Sequence, residues 1–136
     1  MERIEQQFLW ALQALAQPAH IQPKLFPSFV VVADELAIDF DNWRMAYESN
    51  CGHRWSQEQR EVVAALGYLL TEMSGPGKHE LWLNEDCLNH PKWAEVRRLA
   101  LVVLSAFDWS PEIPPLDRAI YARYSRDTEQ SESANS

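Results

Sequence analysis

One stretch of the chain, residues 28–49 with the sequence SFVVVADELAIDFDNWRMAYES, constrains the fold most strongly because its apolar residues recur at helical spacing. At 100° per residue, a first set of these side chains falls within a sector of about 100°. Pro27 immediately precedes the stretch, and proline is favoured at the start of a helix. We therefore predict a long helix over residues 28–49 whose core-facing residues are Phe29, Val32, Ala33, Leu36, Phe40, Trp43 and Tyr47.

The same predicted helix carries a second apolar stripe on its opposite side. Val31, Ile38 and Met45 are spaced seven residues apart and lie at about 160–200° from the first stripe. A helix that is apolar on two sides is usually buried on both, which would place it between other helices. The alternative is an apolar strip rimmed by carboxylates, which is the chemistry of a docking surface for a basic protein. The residues of this predicted docking face are Val31, Asp34, Glu35, Ile38, Asp41, Asn42 and Met45.

Three other stretches show helical periodicity with recognisable ends. Pro18 ends the first stretch and begins a proline-rich connector that we expect to be extended. Ser56 and Gln59 have the spacing of a capping box at the start of the second. Pro91 begins the third. The secondary structure of residues 78–90, which join the second stretch to the third, stays ambiguous. The sequence therefore predicts an all-α helical bundle with four main helices at about 3–17, 28–49, 57–74 and 91–107, plus one or two short helices.

The length of 136 residues fits one domain, which we place at residues 1–126. A short final helix is expected around Leu116, Ile120 and Tyr124. Residues 127–136 are polar and lack a large apolar side chain, so we expect a disordered tail there.

The charge of the chain narrows the class of partner. Twelve basic residues against twenty acidic residues give a net charge of −8, which disfavours nucleic acid and anionic membranes as partners. A basic protein would be attracted, although net negative charge also serves solubility alone. The N-terminus has no secretory pattern and no apolar run approaches the roughly 20 residues that span a bilayer. We therefore expect a cytoplasmic protein.

Two short pairs, Cys51-x-His53 and Cys87-x-x-His90, are the residues best suited to bind a metal. Together they supply two thiols and two imidazoles, which is a tetrahedral zinc set, but their spacing matches no standard zinc finger or ribbon. The chain also lacks the glycine-rich loops that bind nucleotide phosphates. The sequence thus predicts no catalytic residue and no cofactor.

The stretches SFVVVADELAIDFDNW and KWAEVRRLALVVLSAFDW resemble a family of small, uncharacterised bacterial proteins that are all-helical. The resemblance spans about residues 25–110, lies in the general pattern, and includes no motif tied to a reaction. In size, acidity and helix content the chain is also similar to immunity proteins, which bind and inhibit a cognate toxin, often a basic nuclease. That likeness lies only in these general properties, so it implies a binding function but assigns no contact residue.

Three functional hypotheses follow. The first is a non-catalytic interaction protein, of the immunity type, that inhibits a basic protein partner through the predicted docking face. The second is a small metal- or thiol-dependent enzyme that uses the two cysteine–histidine pairs. The third is a homodimeric structural protein whose second apolar stripe is buried against another copy. We prefer the first because no catalytic set is recognisable in the sequence.

Overall fold

The computed structural model describes residues 1–83 and 85–118, with the backbone alone described at Glu85. Within these residues the chain is all-α, as predicted, with four helices and no strand. The helices are α1 (Arg3–Ala16), α2 (Val32–Cys51), α3 (Gln57–Glu72) and α4 (Pro91–Ala106). Short 3-10 turns lie at Gln22–Leu25, Gly52–Arg54, His79–Leu81 and Glu85–Asn89. The predicted tail and most of the predicted final helix, including Ile120 and Tyr124, lie outside the described residues.

The bundle is organised around α1, which packs against both α2 and α4, while α3 packs against α4. The ring of Phe8 at the centre of α1 lies 5.9 Å from that of Phe40 and 5.5 Å from that of Tyr47. Its other ring neighbours are Trp55, Phe107 and Trp109. By contrast, the backbones of α2 and α3 approach each other closely at few positions. The arrangement therefore buries one side of α2 and leaves a gap between α2 and α3.

The start of α2 differs from the prediction. The helix begins at Val32, and Val31 has extended backbone angles of φ −83° and ψ 104°. The β-branched run Val30–Val31 favours extended backbone, since branching at Cβ restricts the side chain against a preceding helical turn. Phe29 consequently precedes the helix and is 71% exposed, so the prediction that it faces the core is wrong. The other predicted core residues, Val32, Ala33, Leu36, Phe40, Trp43 and Tyr47, are buried as expected.

The connectors are more ordered than the sequence suggested. The segment after Pro18 contains a 3-10 turn, so it is not wholly extended. Inside it, the buried Gln22 side chain donates to the carbonyls of Ala14 and Leu15, both at 3.1 Å, and so satisfies two carbonyls at the end of α1. The capping box at Ser56 and Gln59 is present as predicted.

The ambiguous region at residues 78–90 forms two 3-10 turns, and the predicted cap Asn84 lies outside the described residues. Two tryptophans fix this region to the helices. The Trp82 indole donates to the Met73 carbonyl at 2.8 Å, and the Trp93 indole donates to the Leu81 carbonyl at 2.7 Å. Trp82 is thereby held at the C-terminal end of α3.

The segment after α4 returns along α1. The Gln13 amide donates to the Ser110 carbonyl at 2.9 Å, and the Gln17 amide donates to the next two carbonyls of the segment. Leu116, which was predicted to begin a short helix, lies in a turn and is exposed. Arg118 is buried and donates to the Leu25 carbonyl at 3.2 Å. The segment is therefore held against the C-terminal half of α1 and the turn that follows it.

Candidate docking surface

The second apolar stripe of α2 is accessible. Val31 is 47% exposed and Met45 is 53% exposed, while Ile38 between them is half-buried. The interpretation that this helix lies between others and is buried on both sides is therefore wrong. Exposed side chains of this size occur singly on most proteins. Here Met45 and the half-buried Ile38 lie two turns apart on α2, and the exposed Val31 lies in the extended backbone just before the helix. We call the residues of this stripe and its edges, Val31, Asp34, Ile38, Asp41, Asn42 and Met45, the outer face of α2.

Glu35 belongs to the interior and not to this face. It is only 6% exposed, and Asp39, one turn later, is only 2% exposed. Arg118 supplies a positive charge near Asp39, and the two interact electrostatically. The guanidinium of Arg118 also lies 5.0 Å from the centre of the Phe26 ring. This edge of α2 therefore anchors the C-terminal segment, which sequence spacing alone does not reveal.

The exposed carboxylates of α2 differ in their partners. Asp41 accepts a hydrogen bond from Arg44 at 2.9 Å, and Arg44 also reaches Glu48 at 3.4 Å. Asp34 lies about two helical turns before Asp41, and partial burial raises the pKa of its carboxyl above the ordinary value of 3.8. A positive charge placed next to Asp34 would stabilise its ionised form.

A groove runs between α2 and α3, whose backbones lie farther apart than those of the other packed helices. It consists of three adjoining cavities of about 440, 410 and 450 Å³. The first two share Asp41, Gly67 and Thr71, and the last two share Ile38 and Trp82. We call this feature the α2–α3 groove. Four residues of the outer face of α2 line it, namely Asp34, Ile38, Asp41 and Asn42.

The opposite wall of the groove comes from α3 and was missed by the sequence analysis. Gly67 lies inside the helix, where glycine costs about 1 kcal/mol relative to alanine. Tyr68 is 68% exposed, and its hydroxyl bonds to Glu72, which raises the pKa of Tyr68. Thr71 completes this wall. The sequence did contain a signal for this wall. Gly67 lies in the interior of the predicted helix, and the adjacent Tyr68 lies outside its apolar stripe.

The cysteine and histidine residues do not form a metal site in the described part of the chain, where no three His, Cys, Asp or Glu side chains are grouped suitably. Cys51 is buried, and its sulfur lies 2.8 Å from the Arg54 guanidinium. His53 is exposed, and Cys87 is buried. His90 accepts a hydrogen bond from the Lys92 amide at 3.0 Å and caps α4.

Comparison with known proteins adds no homologue, since no family model matches the chain and no curated protein or solved structure is detectably similar. None of the helices in the described residues is both long enough and apolar enough to cross a membrane. The functional argument therefore rests on the chain's own geometry.

Proposed function

We propose that this protein is a non-catalytic binding protein of the immunity type, which holds and inhibits a basic protein partner through the outer face of α2. The observation that carries the proposal is the exposure of Val31, immediately before α2, and of Met45 on α2, with the exposed carboxylates Asp34 and Asp41 between them. Apolar side chains surrounded by charged ones are the usual composition of a protein interface, with an apolar centre and a polar rim.

The mechanism has two stages. The net charge of −8 attracts a basic partner during diffusion and raises the association rate, an effect that salt weakens. Burial of Val31, Ile38 and Met45 then slows dissociation, because the apolar area is removed from water. Inhibition follows where the contacted surface of the partner includes its own functional site.

The test begins with affinity capture of partners from the native host and identification of each by mass spectrometry. Each identified partner is then purified, and its Kd is measured for the wild type and for a Val31→Ser/Met45→Ser double variant. We expect a basic partner whose binding weakens at least about tenfold in the double variant, since interface anchors commonly contribute 1–2 kcal/mol or more each. The Kd should also rise with salt.

Leu101→Ser provides the matched control, because Leu101 is 44% exposed on α4 and lies far from α2 in the sequence. Its Kd should stay within about twofold of the wild type. Equal binding by the double variant, or partners that are consistently acidic, would refute the proposal.

A second candidate uses the same exposed stripe for self-association. Two copies could bury Val31 and Met45 symmetrically, as isologous dimers do. The carboxylates of the outer face would then approach their own copies, which opposes close contact. Sedimentation equilibrium decides between the two, because a dimer lost in the Val31→Ser/Met45→Ser variant would favour self-association.

A further inference from the structure

The segment that follows α4 has a firmly held start. The chain reverses at Asp108, whose φ of 58° lies in the left-handed region, and Trp109 then stacks on Phe107 with the ring centroids 4.7 Å apart. Trp109 also lies edge-on to the ring of Phe8 at the centre of α1. These contacts keep Trp109 with the core, so the separately attached part of the segment begins at Ser110. We call residues 110–118 the strap.

Side chains, rather than a backbone ladder, attach the strap to the bundle. Among the described residues, no backbone–backbone hydrogen bond joins the strap to a helix. The Gln13 and Gln17 amides donate to three strap carbonyls at 2.9–3.2 Å. At the other end of the strap, Arg118 donates to the Leu25 carbonyl at 3.2 Å. The attachment therefore depends on a few polar side chains at the two ends of the strap.

Apolar burial contributes little to this attachment. The large apolar side chains of the strap, Ile113 and Leu116, are 59% and 69% exposed. Of its three prolines, only Pro114 is buried. A segment with few buried apolar contacts opens at a lower free-energy cost than the packed helices of the core. We therefore expect the strap to detach before the bundle unfolds.

Arg118 occupies a site that suits a guanidinium but satisfies it only in part. The guanidinium makes a cation–π contact with the Phe26 ring, 5.0 Å from its centre, and is attracted by the buried Asp39. Its Nε and Nη2 atoms are buried without a hydrogen-bond partner among the described residues. Burial lowers the pKa of Arg118 even though Asp39 opposes this effect. Because buried donors without partners are costly, the closed position of Arg118 is only weakly favoured.

We propose that the strap is detachable, with Arg118 as its latch, and that it opens while the four helices stay folded and exposes a guanidinium-binding site. The site consists of the Phe26 ring, the Leu25 carbonyl and the charge of Asp39. In the closed strap the protein's own arginine occupies this site and keeps it from other molecules. The inference goes beyond the proposed function and does not depend on it, because it concerns the chain alone.

Native-state proteolysis tests the opening, because trypsin cleaves after arginine and Arg118 is only 4% exposed in the closed strap. The full chain is incubated with trypsin over a range of urea concentrations, and the fragments are identified by mass spectrometry. Arg97 is the internal reference, since it lies within α4 and donates to the Leu88 carbonyl at 2.8 Å. We expect cleavage after Arg118 without urea, while cleavage after Arg97 follows the unfolding transition. The same urea dependence at both sites would mean that the strap opens only on global unfolding, and the inference would be overturned.

The matched variants are Gln17→Ala and Gln57→Ala. Gln17 donates to two strap carbonyls, whereas the exposed Gln57 donates to Glu61 within α3. Gln17→Ala should raise the rate of cleavage after Arg118 at least about tenfold, because two hydrogen bonds of the closed strap are lost, and Gln57→Ala should leave it within about twofold. Circular dichroism confirms that each variant is folded, and Gln13→Ala replaces Gln17→Ala if the latter is not. An unchanged rate would show that these amides do not hold the strap and would contradict the inference.

Chemical rescue tests which cation the uncovered site accepts. Thermal unfolding of Arg118→Ala is followed in ethylguanidinium chloride and in ethylammonium chloride at equal millimolar concentrations. A ligand that binds only the folded state raises the Tm, so ethylguanidinium should raise it by at least about 2 °C more than ethylammonium does. In the wild type the two salts should act alike, because Arg118 fills the site. Equal effects on Arg118→Ala would show that the site does not select a guanidinium, and the inference would fail.

Discussion

Ile38 on α2 and Gly67 on α3 line the same cavity, although the backbones of the helices that carry them approach each other closely at few positions. In a bundle of this size, neighbouring helices usually pack side chain against side chain, because apolar surface left in contact with water is unfavourable. The gap between these two residues joins the outer face of α2 to the α2–α3 groove.

The two sides of α2 should respond oppositely to substitution. Met45→Asp should change the free energy of unfolding by less than about 0.5 kcal/mol, because Met45 is exposed. Leu36→Ala should lower it by about 2–5 kcal/mol, because Leu36 is fully buried and its loss creates a cavity. Urea denaturation measures both. A large decrease in the free energy of unfolding of Met45→Asp would show that the outer face of α2 is buried in the core.

Gly67→Ala should stabilise the protein. The added Cβ meets no neighbouring atom, and alanine is favoured over glycine in a helix interior by about 1 kcal/mol. We expect the free energy of unfolding to rise by about that amount in chemical denaturation. Gly52→Ala is the contrasting variant, because its Cβ would lie 3.0 Å from the Glu48 side chain. An unchanged or lower stability of Gly67→Ala would show that the groove is closed in solution.

Arg118→Ala should destabilise the fold through the C-terminal segment. Its guanidinium donates to the carbonyls of Leu25 and Pro115 and places a positive charge near the buried Asp39. Hydrogen bonds that involve a charged group contribute about 1.5–3 kcal/mol each, so we expect the free energy of unfolding to fall by about 3 kcal/mol. Arg118→Met keeps much of the side-chain volume beside Phe26 and should be nearly as destabilising. A loss confined to Arg118→Ala would assign the role to packing alone.

Asp34 should titrate above 3.8 in the free protein, because partial burial raises the pKa of its carboxyl. Because the pKa of this carboxyl is higher in the folded state than in the unfolded state, its protonation stabilises the fold at pH values below the unfolded-state pKa. This stabilisation is lost as the pH rises through the folded-state pKa. Asp34→Asn should therefore be more stable than the wild type at pH 7. Carbon-13 NMR of the carboxyl gives the pKa directly.

Binding of the proposed basic partner should lower the Asp34 pKa, since a nearby cation stabilises the carboxylate. The same carbon-13 titration is repeated with saturating partner, and Glu58, on α3, serves as the internal control. An Asp34 pKa that does not move on binding would place the partner elsewhere on the protein.

Periodicity predicted most of the fold, because the position of an apolar side chain on a helix follows from its spacing. It assigned the core side of α2 correctly from Leu36 to Tyr47. It failed at Phe29, where the local preference of Val30 and Val31 for extended backbone outweighs the apolar pattern. The apolar spacing alone continues back to Pro27 and contains no sign of where the helix begins. The start of α2 also has no side-chain cap that the sequence could have revealed.

The candidate site was less predictable, since it depends on which helices lie farther apart than the others. The wheel placed Glu35 and Asp34 on opposite edges of one stripe, but Glu35 is buried and Asp34 is exposed. Spacing within one helix cannot reveal which edge the rest of the chain covers, as the long-range hydrogen bond between Arg118 and Leu25 illustrates. For the same reason Gly67 drew no attention, because its cavity exists only once α2 lies opposite α3.

The most direct test of the central claim is hydrogen–deuterium exchange of the full chain with and without its purified native partner. The account predicts slower exchange in the partner complex along α2 from Asp34 to Met45, with little change on the exposed side of α4 around Leu101. Protection centred on α4, with α2 and α3 exchanging as in the free protein, would contradict it.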